Sequence, residues 1–581
     1  MPGADSGDVQ EKQLTADTEK EKNLLPGRRN HAEKLTLPEK KVQEAICVLL
    51  VELCERFTFF GIVCNMILFC TVRLGYRNYQ AAIVNMCFVG TSMLTPVLAG
   101  WLAECLVGRI KLVCVCMFLH FLALLPIVAF PFEDIYIDKR HILLHTLTKK
   151  EQKMVFYFAL LTASLGIGGI RAIVCPLSAY NLENCGPKEL LSFFNWFYWL
   201  INLNSAVVFV SISYIQQSVA RNLGFLLPFV SVLMAMITIH MVRGKMIYKP
   251  KTDSSLLTTF GVIGSALKTC CVRYRYFSGD VSSWLDHAKE YHGGQYSETQ
   301  VESTKSLARL FPFFAFQILY RTCIMQIPSG YYLQTMNSNL NFSGFVLPIA
   351  AMNVISIVPL LILVPILECI NSYLFSSKGS GHPPTMYIVA GQLCAALSVM
   401  VAGFSEIHRK HFPQVEQTLS EEVLLVSSMP CFHLAPQYIL LGVAEALVTP
   451  SCSLLSFWLV PERIRGISMH FLTLFNGAGC FMGAFFVQTA HTGTQGNWFP
   501  HLLHEGKLER FFFFLASLMM VNTLGFWTVA HRYSNLDQEY TSEFRGSLSE
   551  EKEVFLKHDK VIEHYGSVLD HSPILSPMEA T

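Results

Sequence analysis

Residues 45–70 read AICVLLVELCERFTFFGIVCNMILFC, an apolar run broken by three adjacent-turn charges, Glu52, Glu55 and Arg56. A helix rises about 1.5 Å per residue, so such a run covers the roughly 30 Å of a bilayer's hydrocarbon core. Charge is costly there, and ionisable residues inside spans face a bundle interior or a polar cavity, not lipid. The i, i+3 spacing puts both carboxylates near one helix face with Arg56 beside them. A lone span cannot shelter that cluster, so the chain must supply partner helices.

It does so eleven times more. Apolar blocks recur near 81–105, 110–131, 155–178, 193–215 and 223–243, then near 305–333, 344–368, 385–404, 430–459, 467–490 and 510–531. The reading is an all-α membrane protein of about twelve spans in two six-helix bundles, 41–243 and 305–532. A cytoplasmic linker, 244–304, joins them, and polar tails, 1–40 and 533–581, flank them. Composition agrees: 52% of residues are apolar and only 15% charged, against about 25% charged in soluble domains.

The net charge of +1 and the scattered basic residues exclude a nucleic-acid surface. Most of the 18 cysteines sit in apolar blocks as small hydrophobes. The charged N-terminus has no early apolar region and is not a cleaved signal peptide. Lys40, Lys41, Arg109, Lys111, Arg463 and Arg465 in short loops, with Arg243 and Lys245 opening the linker, put both termini and the linker in the cytoplasm by the positive-inside rule. The sequon Asn341-Phe342-Ser343 then falls outside, with Asn341 as glycosylation acceptor. Leu256 to Phe277 is amphipathic enough for an interfacial helix, with Cys270 and Cys271 as possible acylation positions. No clean acidic dileucine signal separates plasma membrane from endolysosomal membrane.

Polar residues at membrane depth mark where a solute could bind. The fourth span carries Gly166-Ile167-Gly168-Gly169-Ile170-Arg171, whose glycines allow close helix approach and whose cation should meet a first-span carboxylate. Tyr198 and Asn202 stand at i, i+4 on the fifth span; Asn202 serves either a solute or an interhelical hydrogen bond. The seventh span holds Gln317, Tyr320, Arg321 and Gln326, and the tenth holds Glu445 in an apolar run. A parallel repeat would set Glu52, Glu55 and Arg56 opposite Gln317, Tyr320 and Arg321 across a pseudo-axis, a dipolar cavity suited to a zwitterion. The competing reading of the first-span cluster is an ion lattice that only holds helices together. No nucleophile elbow, phosphate loop or metal-ligand cluster stands out, so neither an enzyme nor a metal or other cofactor is expected.

At these residues the chain resembles the proton-coupled oligopeptide transporters of the major facilitator superfamily, over nearly all of 40–532. Glu52-x-x-Glu55-Arg56-Phe57-Thr58-Phe59-Phe60-Gly61 resembles the family's first-helix ExxERFxYYG, and Gly168-Gly169-Ile170-Arg171 its GGIKP. Phe197-Tyr198-x-x-Ile201-Asn202 resembles FYxxINxG, and Pro436-Gln437-Tyr438 through Glu445 resembles PQYxLxGxxE. The resemblance implies a symporter of small peptides or amino-acid-like solutes, driven by protons and embedded in the lipid bilayer. Glu52, Glu55 and Glu445 would couple protons, and Arg56, Arg171, Tyr198, Asn202, Tyr320, Arg321, Gln326 and Glu445 would bind substrate. The chain departs from the pattern where the family's lysine is Arg171, its two tyrosines are Phe59 and Phe60, and a second-helix histidine is Met86. Arginine does not release its proton, so any proton switch must lie on glutamates. Two other functions stay open: a carrier of another organic solute without proton coupling, and a solute-sensing scaffold with little transport.

Overall fold

The computed structural model describes residues 49–530 apart from 73, 104–105, 107, 130–148, 181–186, 220, 243–254, 274–282, 293, 379–383, 420–421, 462–463 and 501–502. Both expected tails and the loop between the third and fourth spans lie outside the described residues. Each of the twelve apolar blocks contains a helix among the described residues. Ten helices among the described residues are long and apolar enough to cross a membrane: Leu49–Val72, Asn78–Leu102, Lys150–Ala172, Asn195–Val219, Glu298–Met336, Ile349–Ile370, Pro384–Lys410, Cys431–Trp458, Arg465–Gly493 and Leu508–Ala530. Arg109–Ala129 and Arg221–Val242 supply the third and sixth spans. The seventh is kinked at Pro328, where φ is −83° and ψ 15°.

Span four lies almost backbone to backbone against its neighbours, and the glycine run is the reason. A Cβ on Gly166 would sit 2.7 Å from the Cys116 carbonyl oxygen of span three, and one on Gly168 would sit 2.8 Å from the Ser92 oxygen of span two. Real Cβ atoms do not approach so closely, so alanine here would push the helices apart. That approach carries Arg171 inward toward span one.

The two halves meet along matched helices. Span two packs on span eleven, where a Cβ on Gly477 would come within 3.1 Å of the Gly90 oxygen. Spans five and eight are tied by Trp199 Nε1 donating to the Leu361 oxygen at 2.9 Å and Asn195 Nδ2 donating to Glu368 Oε2 at 2.8 Å. At the end of the molecule that carries Asn341, the Tyr332 hydroxyl donates to Asn65 Oδ1 at 3.2 Å and Asn85 Nδ2 to the Pro328 oxygen at 2.8 Å. There too Tyr79 stacks on His491 with ring centroids 3.6 Å apart.

Two regions hold more structure than the sequence suggests. Between spans nine and ten, Gln414–Leu419 and Glu422–Ser427 form an antiparallel hairpin. It is bound to the seventh span's end by Ser427 N to the Asn337 oxygen at 3.0 Å. Between the halves, Ser255–Arg273 is helical, as its amphipathic pattern indicates. Its buried Val262 and Ala266 pack on Leu285, Ala288 and Val301, so part of the linker is a folded unit. Lys289 reaches Asp286, Glu298 and Glu302 at 3.2, 3.0 and 2.8 Å, and Lys305 reaches Asp286 at 2.5 Å. Lys289, then Lys305, holds the Glu302 carboxyl below its ordinary range, while Glu302 and Glu298 raise Lys289. The side chains of Cys270 and Cys271 lie outside what is described.

Candidate functional site

Glu52 and Glu55 are buried at 0% and 2% exposure. Arg56 reaches back one turn, Nε donating to Glu52 Oε1 at 2.8 Å and lying 3.4 Å from Glu55 Oε2. Arg171 arrives from span four, its Nε donating to Glu55 Oε1 at 3.1 Å and its Nη2 lying 3.0 Å from the same oxygen. One carboxylate is thus shared by two guanidinium groups. The cluster is short of partners, however: Glu52 Oε2, Glu55 Oε2 and Arg171 Nη2 are buried without a hydrogen bond.

Phe59 explains how an arginine fits where the resembling family has lysine. The Arg171 guanidinium lies over the Phe59 ring, 4.2 Å from its centroid. That geometry is a cation–π contact, stronger when desolvated as here. Phe59 in turn stacks on Phe88 at 6.1 Å. The Phe59 ring face thus steadies a planar cation.

A second cluster lies in the other half. Arg321 Nη1 stands 3.9 Å from Glu445 Oε1, each side chain 20% exposed. This is an ion pair too long for a hydrogen bond. Gly479 of span eleven presses on the arginine's stem, since a Cβ there would sit 2.7 Å from Arg321 Cβ. Tyr320 is on the same face and buried, its hydroxyl unpartnered. Tyr198, from span five of the first half, packs among Leu360, Val364 and Ala446 next to Glu445. Each half thus holds a charge cluster of its own, two carboxylates with two guanidinium groups in the first and one with one in the second.

Two expected site residues are turned into their own helices. Asn202 Nδ2 donates to the Tyr198 carbonyl oxygen one turn back at 2.8 Å. Gln326 Nε2 donates to the Thr322 oxygen at 3.2 Å. Asn341 is exposed on a tight hairpin, Asn341–Phe342 paired with Phe345–Val346, and its Oδ1 accepts from Gly344 N at 3.0 Å. Among the described residues no group of three or more His, Cys, Asp and Glu side chains is placed to hold a metal ion.

The sequence reading missed a buried ion pair. Glu406 and Arg409 pair at the end of span nine, 0% and 1% exposed, with Arg409 Nη2 2.6 Å from Glu406 Oε1. Arg409 Nε and Gln334 Nε2 donate to Glu406 Oε2 at 3.0 and 3.1 Å, and Arg409 Nη1 donates to the Asn337 oxygen at 3.2 Å. His120 of span three is wholly buried with both ring nitrogens unpartnered.

This architecture is shared with solved membrane transporters. It superimposes on a crystal structure of an auto-inhibited POT family peptide transporter with a TM-score of 0.63, at 16% identity, covering 84% of this chain and 97% of that one. It also matches a POT family transporter in complex with 5-aminolevulinic acid, with a TM-score of 0.59 at 14% identity, covering 84% and 96%. Fold and buried ion clusters together define a membrane transporter of the major facilitator fold. The sequence is 58% identical to Solute carrier family 15 member 5 of Homo sapiens over 92% of each chain, and 23% identical to Solute carrier family 15 member 3 of Mus musculus over 86% of this chain and 93% of the relative. The POT family profile matches residues 129–500, and the chain belongs to the POT family.

Proposed function

We propose that this protein is a proton-coupled symporter of small peptides or amino-acid-like zwitterions that works by alternating access of its two halves. The supporting observation is the sharing of Glu55 between Arg56 and Arg171 in a buried cluster whose hydrogen bonding is incomplete. A proton on Glu55 cancels its charge and strands the Arg171 cation in a poorly hydrated interior. A substrate carboxylate then replaces the lost counter-ion, because an unpaired buried charge is far costlier than a paired one. Glu445 receives the ammonium in the other half, and the substrate bridges the halves. Loss of the proton restores the Glu55–Arg171 pair and expels the carboxylate. Both coupling partners thus remain in one exchange of counter-ions, with no proton demanded of arginine.

Alternating access has its contacts in place on this reading. The Asn65–Tyr332, Asn85–Pro328 and Tyr79–His491 contacts shut the Asn341 end. The relative in complex with 5-aminolevulinic acid supports an amino-acid-like solute. Both termini are cytoplasmic, Asn341 is glycosylated outside, and the protein resides in the plasma or endolysosomal membrane. A second reading, a carrier of another organic solute without proton coupling, draws on the Arg321–Glu445 contact, which already gives Glu445 a cation.

Uptake of labelled dialanine and histidine into proteoliposomes with and without an inward proton gradient tests the reading. Gradient-driven accumulation, lost in Glu55→Gln and in Glu445→Gln, is expected. Uptake that ignores the gradient favours the second reading.

A further inference from the structure

Two donors on one face of the seventh span have no acceptor, and Arg321 beside them meets the Cys480 thiol of span eleven and stands at a distance from Glu445. Gln317, Tyr320 and Arg321 stand at i, i+3 and i+4, which are neighbours on a helix surface. Gln317 is 1% and Tyr320 4% exposed. Gln317 Nε2 and the Tyr320 hydroxyl are both buried without a hydrogen bond. Buried polar groups in folded proteins are nearly always paired, so two orphaned donors beside a cation call for a ligand. Glu445 does not relieve them, because its nearer oxygen stands 3.9 Å from Arg321 Nη1. The guanidinium cannot retreat toward span eleven, whose backbone at Gly479 presses on its stem.

Charge narrows what the ligand is. Taken as ionised, the two clusters set Glu52, Glu55 and Glu445 against Arg56, Arg171 and Arg321, three of each sign. A solute with one surplus negative charge would upset that balance, and one proton on a glutamate would restore it. Donors without acceptors, in a site that tolerates an anion when a proton accompanies it, match a carboxylate.

Resting on the symport reading above, we propose that the solute is an acidic zwitterion, an amino-acid-like molecule or short peptide with a second carboxylate. Its ammonium lies at Glu445 and its main carboxylate at Arg171. The second carboxylate is received by Gln317 Nε2, the Tyr320 hydroxyl and Arg321. Leaving charged or polar partners unmatched is what lets such a site reject an analogue that lacks the group.

The test compares Ala-Glu with its neutral isostere Ala-Gln and with Ala-Ala on the purified full-length protein at mildly acidic pH, by thermal-shift titration and proteoliposome uptake. Ala-Glu is expected to bind about tenfold tighter than Ala-Gln. Tyr320→Phe and Gln317→Leu should each lower that ratio about threefold, within the range of one hydrogen bond's net contribution. Equal binding of Ala-Glu and Ala-Gln overturns this inference alone while Ala-Ala binding leaves the symport reading standing. A ratio unmoved by both substitutions also overturns it. Failure of all three peptides to bind overturns the symport reading and this inference with it.

Discussion

Among the carboxylate–guanidinium pairs of the described residues, Glu55–Arg171 in the first half and Glu406–Arg409 in the second are both buried, and they are finished differently. Both Glu406 oxygens accept from Arg409, one also from Gln334, and Arg409 goes on to hold the Asn337 oxygen. Around it, Gln437 Nε2 donates to Gln334 Oε1 at 2.8 Å, and Ser427 Oγ donates to the Arg409 oxygen at 2.8 Å. The pair ties spans seven, nine and ten to the hairpin. Glu55 and Arg171, by contrast, keep unpartnered atoms and share their charge three ways. A saturated pair is a fastener; an unsaturated one has room for another ion.

That contrast can be broken by mutation, and the largest effect belongs to the fastener. Arg409→Met leaves Glu406 buried and uncompensated, so a loss of about 3–5 kcal/mol is expected, read as a fall in melting temperature and in detergent-stable monomer. Next, adding Glu406→Leu to Arg409→Met should recover at least half of that loss, because a buried pair exchanged for apolar residues is near neutral. If the double variant is no better than the single one, the two side chains act separately and the contrast fails. At the other pair, Arg171→Gln should cost roughly 1–3 kcal/mol of stability, less than Arg409→Met, since Arg56 still faces Glu55. It should nonetheless abolish uptake. Phe59→Leu removes the ring beneath Arg171 and should weaken substrate binding by about 1 kcal/mol, about fivefold, with little change in melting temperature.

The smallest effect lies outside the membrane, in the linker unit. A depressed Glu302 contributes stability that is present above the ordinary carboxylate range and lost as pH falls through its lower folded value. A raised Lys289 contributes stability that is present below the ordinary lysine range and lost as pH rises through its higher folded value. Amide protection across 284–309, exchange rates taken relative to the intrinsic rate at each pH, should therefore be highest near neutral pH and fall in strong acid and in strong alkali. Protection that does not change across that range would show the charges there to be idle.

The helices were legible because lipid imposes a length and a composition that sequence displays directly. The Glu52, Glu55, Arg56 and Arg171 cluster was legible for the same reason, since charge inside an apolar block is conspicuous. Glu406 and Arg409 escaped because they follow Phe404, where the apolar block stops, so their charges looked like its aqueous border. The helix in fact continues to Lys410 and the hairpin roofs it over. Gln326 shows the reverse limit: a glutamine at membrane depth has its own helix carbonyls within reach, and spacing alone does not say which partner it takes. The linker's fold depends on Lys289 and Lys305 meeting Asp286, pairs that one-dimensional polarity does not reveal.

The glycine contact between spans two and eleven has a mechanical corollary. Where Gly477 faces the Gly90 carbonyl, the two backbones approach closely, with the Leu94 side chain against Gly477 and the Phe481 ring against Gly90. Any rocking of the halves, as the proposed alternating access requires, has to carry that close contact along with it. A methyl group added there would act as a doorstop, leaving both ligand clusters whole while arresting the swing between them.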